Sequence, residues 1–245
     1  MPVAESMKRF FRASVILAAI LFVAAGITVG LIYLNTYYSV KQIRIAADTP
    51  NNGPIVGLDD LNGISMITIS EKQVVTDLQK RNPGLQSIAV SREFPSTLKI
   101  RVTHRTPLVA LQVSDDGVFI LDHEGSILNR QQKYTGTLPI LKYYQTFAYK
   151  QFQVGEKIDF KDIVQTLYFV DSLNGFGYQA KRIDIEGLYM IRLLVFGEKS
   201  FFFTSEKDKE VQMYQLKELL RQFKIQGKDF KTVDLRFDKP VITIK

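Results

Sequence analysis

Apolar residues follow three different rhythms along this chain. Residues 13–34 read ASVILAAILFVAAGITVGLIYL, with no charge among them. A helix of about 22 residues rises roughly 33 Å, enough to cross a hydrocarbon core of about 30 Å. Further on, Leu98, Ile100 and Val102 alternate with Lys99, Arg101 and Thr103, the period of a half-buried strand. Pro95 and Pro107 bracket that strand. Proline lacks the N–H that a ladder needs, so the two mark where pairing starts and stops. The third rhythm is helical: Met213, Leu216, Leu220 and Phe223 fall on one stripe, as core-facing residues of a helix do.

Between the apolar run and Pro107 the pattern predicts a small mixed unit. Residues 40–45 alternate as a strand. A loop with Pro50, Gly53, Pro54 and Gly57 follows, then a short helical turn at LDDL. Ser70 with Gln73 three residues later fits a capping box, Val74, Val75 and Leu78 give the helix an apolar face, and Asn82-Pro83-Gly84 stops it. Residues 88–90 and 98–102 complete the order strand, helix, helix, strand, strand. Beyond Pro107, VFILDHEGSIL predicts two strands about a turn at Gly125, and LPILKYY follows. Residues 160–173 predict a buried helix. Strands are expected at residues 183–185, 189–196 and 200–203, with a second capping box at Ser205-Glu206-Lys207-Asp208 and a helix stop at Gly227. A C-terminal hairpin is expected last, with VDLRF and VITI as strands and Asp238-Lys239-Pro240 as its turn. With no further segment to cover it, the final strand, ending on Lys245, becomes an open pairing site if it lies at a sheet edge. The expected fold class is α+β. A cytoplasmic tail spans residues 1–12 and a single N-terminal transmembrane helix residues 13–34. A first domain covers residues 38–105, and a mixed, β-rich second domain covers residues 106–245.

Charge sets the expected orientation. Lys8, Arg9 and Arg12 precede the apolar run, and Tyr33, Tyr37 and Tyr38 suit the opposite interface. Basic flanks stay inside, so the N-terminus is expected in the cytoplasm and the bulk outside it. A cleaved signal peptide would have a shorter apolar stretch and a small-residue cleavage site, and neither is present. Gly26 and Gly30 make a GxxxG pair through which two membrane helices could pack, although glycine is common in such helices anyway. The net charge of +7 is spread among acidic residues with no run of five or six, which argues against nucleic acid. Cysteine is absent, which excludes disulfides and thiolate chemistry. His123 beside Asp122 and Glu124 suggests a metal or acid–base site only superficially, because neighbours on a tight turn diverge. A solvated turn is the reading for these three residues, as for the pairs Asp59-Asp60 and Asp115-Asp116. No HExxH, GxSxG, SxxK or P-loop pattern occurs. No catalytic, metal or cofactor site is therefore assigned.

The order of the first unit is similar to a POTRA module, which binds other polypeptides. The whole arrangement resembles the FtsQ/DivIB family of bacterial division proteins. The resemblance rests on REFPSTLKIRVTHRTPLVAL, LDHEG, LPIL and VDLRF with its short final strand, in that order behind an anchor. His104 stands where the family commonly has Glu, and the Phe201–Phe203 strand lacks the family's frequent Gly. The resemblance implies a non-enzymatic scaffold that binds FtsB/DivIC-like and FtsL-like bitopic partners, with septal wall synthases as further candidates, at the division septum of the cytoplasmic membrane. It carries partner binding to Leu235, Arg236 and Phe237 and to Val241, Ile242, Thr243 and Ile244. Phe94, Pro95, Arg105 and Pro107 fall in the domain junction. Alternation puts Val233, Leu235 and Phe237 toward the core, leaving Arg236 and the final strand as the better interface. The competing classes are a POTRA-bearing secretion component and a membrane-anchored cell-wall enzyme.

Overall fold

A helix of 36 residues, α1 (Pro2–Tyr37), opens the computed structural model, which describes residues 2–48, 54–114, 117–187 and 189–244, with side chains of α1 described from Ile20 onward. Its stretch Ile20–Tyr37 is long and apolar enough to cross a membrane, and none of it is buried. The fold is α+β, and the chain forms two compact units, Met1–His104 and Arg105–Lys245. The loop with Pro50 and Gly53, the pair Asp115-Asp116 and Lys245 lie outside the described residues.

In the first unit, β1 (Gln42–Ala47) begins two residues later than its alternation predicts. The first expected helix is a single 3₁₀ turn, Asp59–Leu61. α2 (Glu71–Arg81) starts as its sequence predicts, with the Ser70 hydroxyl accepting from the Gln73 N–H at 3.4 Å. β2 (Leu85–Glu93) and β3 (Thr97–His104) form an antiparallel hairpin, and β1 joins β3 in parallel, giving the order β1-β3-β2. Val74 and Leu78 of α2 bury against Leu98, Ile100 and Val102 of β3. The alternation of β3 is thus the alternation of one buried face.

The second unit is one sheet of nine strands. β4 (Val109–Gln112), β5 (Val118–Leu121) and β6 (Ile127–Gln131) form a meander, and β7 (Ile140–Tyr143) pairs in parallel with β4. α3 (Lys161–Gly175) connects β7 to the parallel strand β8 (Ala180–Ile185). β9 (Ile191–Val195) and β10 (Ser200–Phe203) form a hairpin. α4 (Lys209–Gln226) then crosses to β11 (Phe230–Asp234), parallel to β10, and β12 (Val241–Ile244) closes the order β12-β11-β10-β9-β8-β7-β4-β5-β6. The two parallel β-α-β crossovers bring α3 and α4 into contact with each other, and α3 also packs on β8 and β9. Leu167 and Phe169 of α3 and Met213 and Leu216 of α4 sit in the main core with Leu193, Phe201 and Phe203. Phe169 stacks on Phe203 with ring centres 4.1 Å apart.

Two local details differ from the expectation. β4 is an additional strand, inserted between β5 and β7. The N-cap of α4 is Asp208, whose carboxylate accepts from the Glu210 and Val211 N–H groups, rather than Ser205. Ser205 is buried, and the wholly buried Gln212 binds both the N–H and the C=O of Thr204 at 3.0 and 2.9 Å, holding the bend at residues 205–207 out of the helix, which starts after Asp208. Gly227 ends α4 in the left-handed conformation, as its sequence predicts.

Candidate functional site: the C-terminal hairpin and its sheet edge

β11 ends at Asp234, and the residue after it turns inward. Leu235 donates its N–H to the Phe202 carbonyl at 2.9 Å and is fully buried, so it is a core residue and no surface for a partner. Asp234 then shapes the turn. Its carboxylate accepts from the Arg236 N–H at 3.1 Å and from the Arg236 guanidinium at 2.6–3.1 Å. This local clasp interrupts the strand, and it corrects the alternation argument: Phe237 does not share the core face of Val233 and Leu235 but stands 54% exposed. Arg236 is not a free arm. Its guanidinium lies 5.3 Å from the Phe202 ring centre and 5.7 Å from that of Phe237, with Met190 Sδ at 2.9 Å. The Asp234 hydrogen bond raises its pKa, burial opposes that rise, and the group stays charged. Two contacts tether the turn to α4 and its approach: Lys207 Nζ meets the Asp238 carboxylate at 3.0 Å, and Gln215 Nε2 reaches the Asp238 carbonyl at 3.5 Å.

β12 returns antiparallel along β11, with Val241 opposite Asp234 and Ile242 opposite Val233. Ile242 packs against the main core. Val241, Thr243 and Ile244 are exposed, Val241 by 55% and Ile244 by 60%. Among the described residues β12 pairs on one side alone, so the N–H and C=O groups of its other side are unpaired in the sheet. Such an edge can accept a strand from another chain. The opposite edge, β6, is covered where it begins. Ile127 donates to the Glu156 carbonyl and accepts from the Gly155 N–H, both at 2.9 Å, and Ser126 bridges to Lys157.

The other sequence-assigned residues lie elsewhere. Phe94 and Pro95, joined by a cis peptide bond, form the turn between β2 and β3 inside the first unit, so they belong to a hairpin rather than to the junction. Phe94 is exposed and meets the Tyr38 ring edge-on at 6.0 Å. Arg105 and Pro107 follow β3 directly. Arg105 Nη1 binds Asp122 Oδ2 at 2.5 Å and Glu124 Oε2 at 2.9 Å. Asp122 is completely buried, which corrects the solvated-turn reading for this residue; His123 and Glu124 are exposed. The other Asp122 oxygen accepts the Glu124 and Ser126 N–H groups at 2.9 and 2.8 Å. The ion pair and two backbone bonds build this hairpin turn. Arg105 has its pKa raised, with burial opposing and the Glu124 and Asp122 hydrogen bonds prevailing. Among the described residues no group of three or more His, Asp or Glu could hold a metal ion. Gly26 and Gly30 lie on α1 with open space where a side chain would stand.

Comparison with known proteins gives the following. Residues 58–105 match the POTRA domain, FtsQ-type. The chain is 26% identical over 137 residues to the cell division protein FtsQ of Streptomyces collinus, 48% of each chain. It is 28% identical over 127 residues to FtsQ of Streptomyces coelicolor, 44% of each. With FtsQ of Syntrophotalea carbinolica it shares 28% identity over 105 residues, 42% of this chain and 36% of that one. The chain spans about half the length of the curated relatives it matches.

Proposed function

The FtsQ-type POTRA domain and three FtsQ relatives support membership of the FtsQ/DivIB family, and from this premise we propose that the chain is a non-enzymatic membrane scaffold of the bacterial division machinery. In this reading α1 anchors it with the N-terminus in the cytoplasm and both units outside, the POTRA-like domain spanning residues 38–105 and the β domain residues 106–245. FtsB/DivIC-like and FtsL-like bitopic proteins are its partners, and the division septum is its place of work.

The observation that carries the partner reading is the bare outer side of β12. An incoming strand would take its register from the backbone of Val241, Ile242, Thr243 and Ile244. Beside that edge, Phe237 offers an exposed ring, and the Arg236 guanidinium offers a charge held in place by Asp234. A pre-ordered charge loses less freedom on binding than a mobile one. The test is the position in dividing cells of a complementing fluorescent fusion on the N-terminus. Septal enrichment that disappears when residues 241–245 are removed is the expected result. Enrichment that survives the removal would move recruitment away from β12. A uniform envelope signal would sink the division reading and favour a secretion component.

A further inference from the structure

One side of α4 serves neither the core nor β12. Lys217, Arg221, Lys224 and, just past the helix, Lys228 recur at intervals of four, three and four residues. At about 100° per residue the first three form a single stripe, and Lys228 lies beyond the left-handed Gly227. They line a cleft of about 490 Å³ whose floor is aromatic and aliphatic: Phe176, Tyr178, Leu220, Phe223 and Phe230. A fifth cation enters from the β9–β10 hairpin. Gly197 and Glu198, both at positive φ, make a tight turn. That turn delivers Lys199 Nζ to 4.5 Å from the Phe230 ring centre and 5.7 Å from that of Tyr178. Two acids answer these charges. Asp229 pairs with Lys199 at 2.6 Å, and Glu218 pairs with Arg221 at 3.0 Å. Lys217, Lys224 and Lys228 have no carboxylate partner among the described residues.

We propose that this cleft docks an acidic polypeptide segment that inserts an apolar side chain between its charges. The stripe from Lys217 to Lys224 extends about 10 Å at the helical rise, and Lys228 adds a further cation beyond the helix end. A single phosphate or carboxylate meets only one part of such a row, whereas a chain of Glu and Asp residues follows it. The floor is concave and flanked by cations, so it takes an inserted Leu or Phe with carboxylates on either side. A planar lipid surface would instead call for a projecting apolar face. Lys199 is already poised over Phe230, so an aromatic guest would join rings that hold a cation. The site goes beyond the strand-addition reading and does not depend on it, because no residue of β12 lines the cleft.

The experiment uses the full chain in neutral detergent micelles and a fluorescein-labelled peptide, EDLFDELE, read by fluorescence anisotropy. Saturable binding that weakens with added salt is expected, and so is at least about tenfold loss of affinity on Lys217→Glu, Arg221→Glu and Lys224→Glu together. Replacing the peptide's Leu and Phe by Ser should weaken it as well. The paired change Val241→Lys and Ile244→Lys should leave peptide affinity within twofold, which separates this site from the β12 edge. These substituted residues are exposed, so an unchanged circular dichroism melt is the control. Peptide affinity unmoved by the triple reversal would overturn the proposal. So would a reversal that abolishes binding to phosphatidylglycerol vesicles while leaving the peptide bound, since the occupant would then be a lipid surface.

Discussion

Replacing Arg105 by Ala should destabilise the second unit far more than an ordinary surface change. Asp122 is completely buried, and among the described residues its Oδ2 has Arg105 as its one hydrogen-bond partner. Its Oδ1 keeps the Glu124 and Ser126 N–H groups in the variant. Breaking a buried pair by removing one ion costs roughly 3–5 kcal/mol, because the other charge is left uncompensated. Two retained charge-assisted hydrogen bonds reduce that penalty. Arg105 is also 16% exposed at its side chain, so water can reach the vacated space. The expected loss is therefore about 2–3 kcal/mol. For a unit of this size each kcal/mol corresponds to roughly 3 °C, so the melting midpoint should fall by about 6–9 °C. Urea unfolding by circular dichroism measures the loss. Amide exchange in Val118–Leu121 and Ile127–Gln131 localises it, because the first protection to fail should be in the β5–β6 hairpin. Adding Asp122→Asn to Arg105→Ala removes the orphaned charge, so the double variant should lose less than the two single losses added together. A loss under about 0.5 kcal/mol for Arg105→Ala would refute the reasoning and class the pair with surface ion pairs.

Three further outcomes are expected. Asp208→Ala removes the acceptor of two N–H groups at the start of α4 and should cost about 1 kcal/mol by urea unfolding, while Ser205→Ala should not reproduce a capping loss. Leu216→Ala empties a fully buried position between α4 and the sheet and should cost about 2–5 kcal/mol, measured by the same unfolding curves; a near-neutral result would mean that α4 is not packed as described. Val241→Lys with Ile244→Lys puts charge on the bare edge at exposed positions, so it should leave the melt unchanged yet abolish photo-crosslinks from a benzophenone residue at Thr243 to small single-pass division proteins.

Local signals were legible in the chain and long-range ones were not. The Ser70 cap and the Gly227 stop each depend on residues within a few positions, and Gly125 announces its turn by composition although distant residues also require it. At Gly125 the requirement is double: φ is +86°, and a Cβ there would come within 2.7 Å of the Ile158 carbonyl oxygen. The burial of Asp122 depends on Arg105, a partner that no local pattern announces. The helix start at Asp208 depends on Gln212 reaching back to Thr204, so tertiary burial overrides the Ser205-x-x-Asp208 window. Phe237 escaped the alternation rule because the strand ends at Asp234, three residues before the pattern does, and the Asp234 clasp turns the chain there. The basic stripe on α4 was missed for another reason. Lys217, Arg221 and Lys224 are not consecutive and become neighbours only once the chain is wound as a helix, and Lys228 joins the same cleft only through the turn at Gly227.

The two ends of the nine-stranded sheet differ in a way that favours the proposed partner binding. Both edge strands are short, and both would be open templates if left bare. At β6 the fold supplies a cover: the backbone of Gly155 and Glu156 bonds Ile127, and the Arg130 side chain is held by Gln153 and by the Tyr149 carbonyl. At β12 the side chains that could guard the edge do something else. Lys207 and Gln215 hold the turn at Asp238, and Arg236 lies against Phe202 and Asp234. Those contacts fix the hairpin, and among the described residues the outer side of β12 is bare, with Val241 and Ile244 exposed. A guarded edge and a braced but open one within the same sheet fit a strand kept ready for another chain better than one left uncovered by accident.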